Sequence, residues 1–189
     1  MTSHKVRHIL ILSGDCAEAL EVLYPLQRLR EEGFAPEVAT PHGKVIRSVI
    51  HDFEPEFETY TEKPGYRIPA DLSFAMVKPD RYDGLVIPGG RAPEYIRNEP
   101  KTLEIVEHFF KAKKPVAAIC HAAQILVAAH LCKGRKMTCY PALRVDVERA
   151  GGTFVDAEVV VDDFLVSSRA WPDHPAFMRE FLKKLKEHK

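Results

Sequence analysis

Short apolar runs recur along the chain, and each ends close to a turn-forming residue. Four of these runs are His8–Leu12, Glu37–Thr40, Gly84–Pro88 and Val116–Ile119. Apolar runs of this length, without polar alternation, are typical of parallel strands that are covered on both faces. The pattern therefore predicts buried strands of a mostly parallel sheet.

Helical periodicity fills three other stretches, in which apolar residues recur at helical spacing. These residues are Leu20, Leu23, Tyr24, Leu26 and Leu29 in the first stretch, Leu103, Val106 and Phe110 in the second, and Phe177, Phe181 and Leu185 in the third. Gly33 supplies a stop for the first helix. Strands that alternate with helices predict an α/β sandwich with helices on both faces of the sheet and right-handed crossovers. Sites in such sheets form at the carboxyl ends of the strands.

The segment 41–74 interrupts this alternation. It is rich in aromatic residues and prolines, and its hydrophobic pattern is weak. A connection of this length is often a lid, a binding loop or part of an interface. A surface β excursion without a chemical role explains it equally well, so the sequence leaves both interpretations open.

Composition narrows the class of protein. The chain has 189 residues, 46% of them hydrophobic, which predicts one compact domain over residues 1–189. Lysine plus arginine equals aspartate plus glutamate at 27 each, which disfavours nucleic acid and acidic membranes as partners. The apolar run near the N-terminus is too short for a signal peptide or a membrane span, so we expect a cytoplasmic protein.

Cys120 stands at the seam between a predicted strand and the helix that follows it. The sequence around it is Lys114 to His130, "KPVAAICHAAQILVAAH". Ala118 and Ala122 supply the small neighbours that a sharp strand-to-helix turn requires, and such a turn raises its central side chain toward a cleft. Core packing is the alternative role, but position and flanks favour a nucleophile. The helix terminus is expected to lower the pKa of the thiol, and His121 could act as its base.

Gly89 and Gly90 directly follow another predicted strand. Glycines allow backbone N–H groups to approach a ligand closely, as an oxyanion hole requires. The N–H of His121 would be the second donor. A pair of glycines is equally compatible with a plain turn.

Three separated motifs carry a resemblance to a known family: "EALEVLYPLQRLREEGF", "YDGLVIPGGRAPEYIR" and "AICHAAQIL". Together they resemble the ThiJ/PfpI superfamily over nearly the whole chain. That superfamily includes intracellular cysteine peptidases, glutathione-independent glyoxalases and the parkinsonism-associated deglycase. The resemblance implies a flavodoxin-like three-layer sandwich, similar to class I glutamine amidotransferases, with a nucleophile elbow after a central strand.

The family pattern implies roles for individual residues. Cys120 matches the nucleophile, His121 its adjacent histidine, and Glu21 the glutamate of the first helix. Glu94 matches a carboxylate that reaches across a subunit interface to orient the histidine, and Tyr140 resembles the tyrosine of the peptidase branch. Such a role for Glu94 implies a homo-oligomer, whether dimer, trimer or hexamer.

Residue chemistry supports Glu21 independently of the family. Pro25 cannot donate an N–H to the carbonyl of Glu21, so the helix is expected to bend beside this carboxylate. A glutamate near a thiolate is expected to have a raised pKa, because burial and like charge both disfavour its ionised form. Glu18, one turn earlier, is a weaker candidate.

Three functions compete, and none of them requires a cofactor or a metal. The first is a glyoxalase or deglycase, in which Cys120 adds to a small carbonyl substrate such as methylglyoxal and a hydroxy acid is released. The second is a peptidase or amidase that acts on a peptide substrate. The third is a redox stress sensor or chaperone-like protein with an oxidisable cysteine. The stretch His51 to Tyr60 resembles the plant two-domain glyoxalases and slightly favours the first function.

Overall fold

The structure is a computed structural model that describes residues 6–188. The strands are β1 (His8–Leu12), β2 (Ala35–Thr40), β3 (Ile46–Asp52), β4 (Thr61–Ile68), β5 (Leu72–Ser73), β6 (Gly84–Ile87), β7 (Val116–Ile119), β8 (Lys136–Met137), β9 (Thr153–Phe154), β10 (Val159–Asp162) and β11 (Leu165–Ser168). The helices are α1 (Ala19–Glu31), α2 (Ala92–Ile96), α3 (Pro100–Lys111), α4 (Ala123–Ala128), α5 (Arg144–Arg149) and α6 (His174–Glu187).

A seven-stranded sheet with the order β10-β11-β7-β6-β1-β2-β5 forms the centre of the fold. All of its neighbouring strands pair in parallel except β10 and β11, which pair in antiparallel fashion. The four strands predicted from apolar runs are present as β1, β2, β6 and β7, which confirms the mostly parallel sheet. The edge pair β10 and β11 was not predicted, although its valine-rich runs flank a tight turn in which Asp163 has a φ of 57°.

Side chains of alternate sheet positions point into two separate cores. Leu10 and Leu12 of β1 pack in a cluster with α3, α4 and α5, whereas Ile9 and Ile11 pack in a cluster with α1 and α6. Because successive side chains of a strand point to opposite faces, both faces of this sheet are buried. The result is the expected three-layer α/β sandwich.

Helix α1 buries the later part of the predicted apolar stripe, together with Glu21 in place of Leu20. Leu20, the first residue of that stripe, is 44% exposed, whereas Glu21 is 1% exposed. Val22, Leu26 and Leu29 complete the buried face. The burial expected for Glu21 is therefore present, at the end of α1 that lies nearest the carboxyl ends of the central strands.

The segment 41–74 contains a β excursion. Strands β3 and β4 pair with each other in an antiparallel hairpin outside the main sheet, and β5 extends the main sheet beyond β2. The hairpin is held against the start of α1, where the N–H of Val49 donates to the carbonyl of Ala17 at 2.9 Å. This contact places the hairpin beside the carboxyl ends of the central strands.

No helix within the described range 6–188 is both long enough and apolar enough to cross a membrane.

Phe181→Ala tests the packing of α6 against the sheet. Phe181 is fully buried among aliphatic side chains, so its removal should lower the free energy of unfolding by about 3–5 kcal/mol. Urea denaturation followed by circular dichroism measures the change. Lys183→Ala, an exposed position on the same helix, should shift the midpoint little. Equal midpoints for the two variants would contradict this packing.

Candidate active site

Cys120 lies at the end of β7 in a backbone conformation that is rare for residues other than glycine. Its φ is 59°, and a single 3-10 turn over Cys120–Ala122 leads into α4. Such left-handed strain costs of order 1–3 kcal/mol and is maintained only where the surrounding structure fixes it. Ala118 and Ala122 are both buried beside the turn. The chain thus forms the sharp elbow that the sequence predicts.

Gly89 packs against this elbow so closely that no side chain fits. A Cβ at this position would lie 2.5 Å from the Cβ of Cys120, 2.7 Å from Oε2 of Glu21 and 2.8 Å from the backbone N of His121. Gly90 follows with a φ of 68°, in the left-handed region that favours glycine. The two glycines therefore bring the end of β6 into contact with the end of β7.

The N–H of Gly89 has a different partner from the one predicted. It donates to Oε2 of Glu21 at 2.7 Å and is therefore not free to stabilise an oxyanion. The N–H groups of Gly90 and His121 instead approach the Cys120 sulfur, where they favour the thiolate. Gly89 thus positions Glu21, and the two remaining N–H groups face the nucleophile.

Glu21 reaches the site from the buried face of α1. Its Oε1 is buried without a hydrogen-bond partner, while Oε2 accepts the hydrogen bond from Gly89. Burial is the main cause that raises the pKa of Glu21 to about 8, and the nearby Glu18 adds to the increase. The raised pKa predicted from the sequence is thus present, and Glu21 is protonated at neutral pH. A protonated Oε1 would supply a donor beside the Cys120 thiol.

The pKa of Cys120 differs from the sequence-based expectation. Burial, followed by the charge of Glu21, raises the pKa of this thiol well above its ordinary value, against the N–H groups of Gly90 and His121. Helix α4 has only six residues, and the effect of its terminus does not outweigh complete burial. Because Glu21 is uncharged below about pH 8, its repulsion acts on the thiolate only in alkaline solution.

His121 lies beside the nucleophile, with Nδ1 3.2 Å from the Cys120 sulfur. Burial, together with the charge of His51, lowers the pKa of His121 to about 4, so the ring is neutral at physiological pH. The ring of Tyr140 stacks on it with centroids 5.1 Å apart, and the ring of Tyr60 meets it edge-on at 5.8 Å. Two tyrosines therefore cover the histidine and narrow the access to Cys120.

Tyr60 belongs to a group of hairpin residues whose roles the sequence analysis missed. His51 packs against Tyr60 with centroids 4.1 Å apart, and its Nε2 lies 2.9 Å from Oε2 of Glu62. Arg91 forms a bidentate ion pair with Glu62, in which Nε donates to Oε2 at 2.8 Å and Nη2 donates to Oε1 at 2.6 Å. This ion pair lowers the pKa of Glu62 to about 2. This chain of contacts ties the hairpin to the residue directly after Gly90. The only signal in the sequence is the stretch His51 to Tyr60, noted as a family resemblance.

Glu18 connects the same hairpin to α1. Its Oε2 accepts a hydrogen bond from the N–H of His51 at 2.7 Å, and its Oε1 accepts one from the N–H of Leu20 at 3.0 Å. The carboxylate thus caps the helix that carries Glu21 and fixes the strand that carries His51. The lesser role expected for Glu18 in the chemistry is consistent with this structural position.

Glu94 does not contact His121 within this chain. It is exposed in the first turn of α2, and its backbone carbonyl accepts a long hydrogen bond from Asn98. Orientation of His121 by a Glu94 carboxylate from another subunit stays a prediction. Within residues 6–188, no group of three or more His, Cys, Asp or Glu side chains is arranged to hold a metal ion.

Glu21→Gln should accelerate alkylation of Cys120 in alkaline solution. Near pH 9 the native Glu21 is charged and opposes the thiolate, whereas glutamine is neutral. Iodoacetamide labelling followed by site-resolved mass spectrometry should show faster reaction in the variant near pH 9 and a smaller difference near pH 6. Glu107→Gln, an exposed position on α3, serves as the control. Equal rates for Glu21→Gln and native protein near pH 9 would rule out the electrostatic coupling.

Glu21 should also make stability depend on pH. A carboxyl whose pKa rises from 4.5 to about 8 on folding binds a proton as the protein folds between these values. Its stabilising contribution is present below pH 4.5 and is lost as the pH rises through about 8. Glu21→Gln should flatten this decline, as thermal melts at several pH values can show. An unchanged slope in the variant would contradict the raised pKa.

Comparison with known proteins assigns the chain to a family. The model of the DJ-1/PfpI family matches residues 7–184. A deglycase from Pyrococcus abyssi is 47% identical over 178 residues, which cover 94% of this chain and 99% of that protein. Protein DJ-1 homolog D of Arabidopsis thaliana is 42% identical over 183 residues, which cover 93% of this chain and 47% of that protein. A crystal structure of a two-domain protein from Anabaena variabilis, with DJ-1/ThiJ/PfpI-like and ferritin-like domains, has 28% identity and a TM-score of 0.82, over 95% of this chain and 48% of that one. The fold, the elbow and these matches together show that the chain belongs to the DJ-1/PfpI family.

Proposed function

We propose that this protein is a cofactor-free enzyme that acts on reactive carbonyl compounds, with Cys120 as its nucleophile. The observation that carries the proposal is the buried pair of Cys120 and Glu21, in which a strained thiol faces a carboxyl with a pKa of about 8. A general acid or base works best when its pKa lies near the working pH. The related deglycase from Pyrococcus abyssi supports the same class of substrate.

The closed site favours a small substrate. Cys120 and His121 are 4% and 6% exposed, and the rings of Tyr60 and Tyr140 lie over the histidine. A two- or three-carbon aldehyde such as methylglyoxal needs much less room beside the sulfur than an extended peptide. The two tyrosine rings over His121 thus support a small carbonyl compound as the substrate.

In the reactive state, the pair of Cys120 and Glu21 holds a single proton. The sulfur adds to the aldehyde carbon and forms a C–S bond, and the proton on Glu21 passes to the aldehyde oxygen to give a hemithioacetal. The N–H groups of Gly90 and His121 are the available donors for the oxygen as negative charge develops on it. Glu21 leaves this step as a carboxylate and is then a base.

The Glu21 carboxylate next removes the proton from the hemithioacetal carbon and returns it to the adjacent ketone carbon, while the hydroxyl proton of the hemithioacetal passes to the ketone oxygen. The product is a thioester of lactic acid, and water hydrolyses it to lactate and the free cysteine. The sum is methylglyoxal plus water giving lactic acid, so neither an oxidant nor a cofactor is consumed. Amine adducts of the aldehyde release it reversibly, so its consumption would also free the amine, as the name deglycase describes.

His121 is a poor candidate for the carbon-to-carbon proton transfer. Its pKa of about 4 makes it a much weaker base than Glu21. A neutral ring 3.2 Å from the sulfur can accept the thiol proton briefly or orient the nucleophile. We therefore assign the main proton transfer to Glu21 and a positioning role to His121.

The rate of carbonyl consumption should rise with pH through about 8. The reactive state requires the loss of one proton from the pair of Cys120 and Glu21, and this loss follows the raised pKa of Glu21. Initial rates of methylglyoxal loss without glutathione, measured across the range from acid to alkaline pH, provide the profile. A rate that falls as pH rises from 6 to 8 would contradict the assignment.

Substitutions should distinguish the catalytic roles of Cys120 and Glu21 from the absence of such a role at the exposed control residue Glu107. Cys120→Ala should abolish lactate formation, and Glu21→Gln should reduce it by about two orders of magnitude or more. Glu107→Gln should leave it unchanged. Lactate formation by Cys120→Ala at the native rate would contradict the proposal that Cys120 is the nucleophile.

A peptidase or amidase is the second candidate, because the Cys120 sulfur and Nδ1 of His121 lie 3.2 Å apart. A thiol and an imidazole at this distance form the core of a cysteine hydrolase. Within residues 6–188, however, no hydrogen bond joins the imidazole of His121 to a carboxylate. This candidate needs Glu94 from a second subunit. Cleavage of fluorogenic peptides that disappears in Glu94→Gln, together with oligomers in light scattering, would support it over the carbonyl reaction.

A further inference from the structure

A basic cavity lies beyond the carboxyl end of β1, and its lining does not include Cys120. It has a volume of about 360 Å³ and is lined by Asp15, Lys44, Val45, Arg47 and Arg67. All five residues are exposed. Three cationic side chains and one carboxylate give the cavity a net charge of two positive units.

Within residues 6–188, none of the three cationic side chains forms an ion pair. The carboxylate of Asp15 accepts a hydrogen bond from the backbone N–H of Arg47 at 2.8 Å and does not pair with a guanidinium. The charges of Lys44, Arg47 and Arg67 thus stay available to an anion.

Arg47 and Arg67 stand directly opposite each other in the hairpin. They are register partners in the antiparallel pair β3 and β4, so their side chains leave the same face of the ribbon. Like charges in this arrangement repel and destabilise a hairpin. A bound dianion would turn this repulsion into attraction, because guanidinium groups match phosphate geometry with two parallel hydrogen bonds.

A second cavity of about 360 Å³ adjoins the first and shares Asp15 and Lys44 with it. Its remaining lining consists of Thr40, Pro41, His42, Tyr95 and Glu99. Tyr95 is 41% exposed and lines this cavity, and the carboxylate of Glu99 can accept hydrogen bonds from hydroxyl groups. The organic part of a phosphorylated ligand would have apolar and polar contacts here.

We propose that these two cavities bind a phosphate monoester with a ring-containing organic part, such as a nucleoside monophosphate. The phosphate would lie among Lys44, Arg47 and Arg67, and the ring beside Tyr95. A phosphate monoester carries close to two negative charges at neutral pH, which matches the net charge of the basic cavity. Neither cavity includes Cys120, His121 or Glu21 in its lining, so this site uses side chains other than those of the carbonyl chemistry.

Isothermal titration of the full chain with adenosine monophosphate, inorganic phosphate and adenosine tests this site at one fixed ionic strength. The monophosphate should bind more tightly than either fragment. Arg67→Gln should weaken its binding about tenfold or more, because a charged hydrogen bond is lost. Arg67→Lys should retain part of the affinity, and Arg149→Gln, an exposed arginine on α5, should retain all of it.

Thermal melts supply an independent measurement. Without ligand, Arg67→Gln should melt at a higher temperature than native protein, because the repulsion with Arg47 is removed. With adenosine monophosphate, the native protein should gain stability and the variant should not. No binding by the native chain, or equal binding by Arg67→Gln, would overturn the proposal. Inorganic phosphate that binds as tightly as the monophosphate would overturn the role of the second cavity.

Discussion

The contact between the Glu21 carboxyl and the Cys120 thiol is the constraint on which the rest of the site depends. The Glu21 carboxyl and the Cys120 thiol are both buried, and burial raises the pKa of each group. Ionising both of these neighbouring buried groups would cost free energy, so the pair retains at least one proton over most of the physiological pH range. This shared proton makes a nucleophile and an acid available together.

Backbone geometry maintains that contact. Cys120 must adopt a left-handed φ to bring its sulfur out of the strand, and Gly89 must lack a side chain to let Glu21 approach. The N–H of Gly89 then holds Oε2 of Glu21 and leaves Oε1 without a hydrogen-bond partner. The left-handed φ of Cys120 and the unpartnered Oε1 of Glu21 are each unfavourable on their own. Together with Gly89, they fix the relative position of the Cys120 and Glu21 side chains, which come from different layers of the fold.

The centre of the fold could be predicted because its central strands and longer helices each carry their own hydrophobic pattern. The runs at β1, β2, β6 and β7 are continuous and apolar because both faces of the sheet are buried. The elbow was predictable for a similar reason, since a cysteine between alanines at a strand end has few structural explanations. The exposure of Leu20 was less predictable, because the burial of Glu21 leaves the adjacent Leu20 on the outer face of α1.

The remaining features depend on contacts between segments that are distant in sequence. Glu62 reaches Arg91 across 29 residues and Glu18 reaches the N–H of His51 across 33, so no local pattern encodes them. The sign of the Cys120 pKa shift depends on how completely the thiol is buried, and a short helix terminus gives no information about that. Similarly, the sequence indicated that Gly89 is closely packed. It did not indicate that the Gly89 N–H donates to Glu21, because this contact depends on where α1 places the carboxylate.

The hairpin of β3 and β4 has a consequence for how such proteins can diversify. It lies outside the main sheet and is joined to the start of α1 by a few backbone contacts, yet it supplies Tyr60 above the histidine and the arginines of the basic cavity. Ile46 and Ile68 at its base belong to the core that packs against α1 and α6, whereas insertions or deletions in its tip, residues 53–60, would leave both hydrophobic cores intact. Selection can therefore change the exposed tip, and with it the access to His121, while the catalytic scaffold stays constant, so the tip is the natural segment to exchange when substrate range is to be engineered.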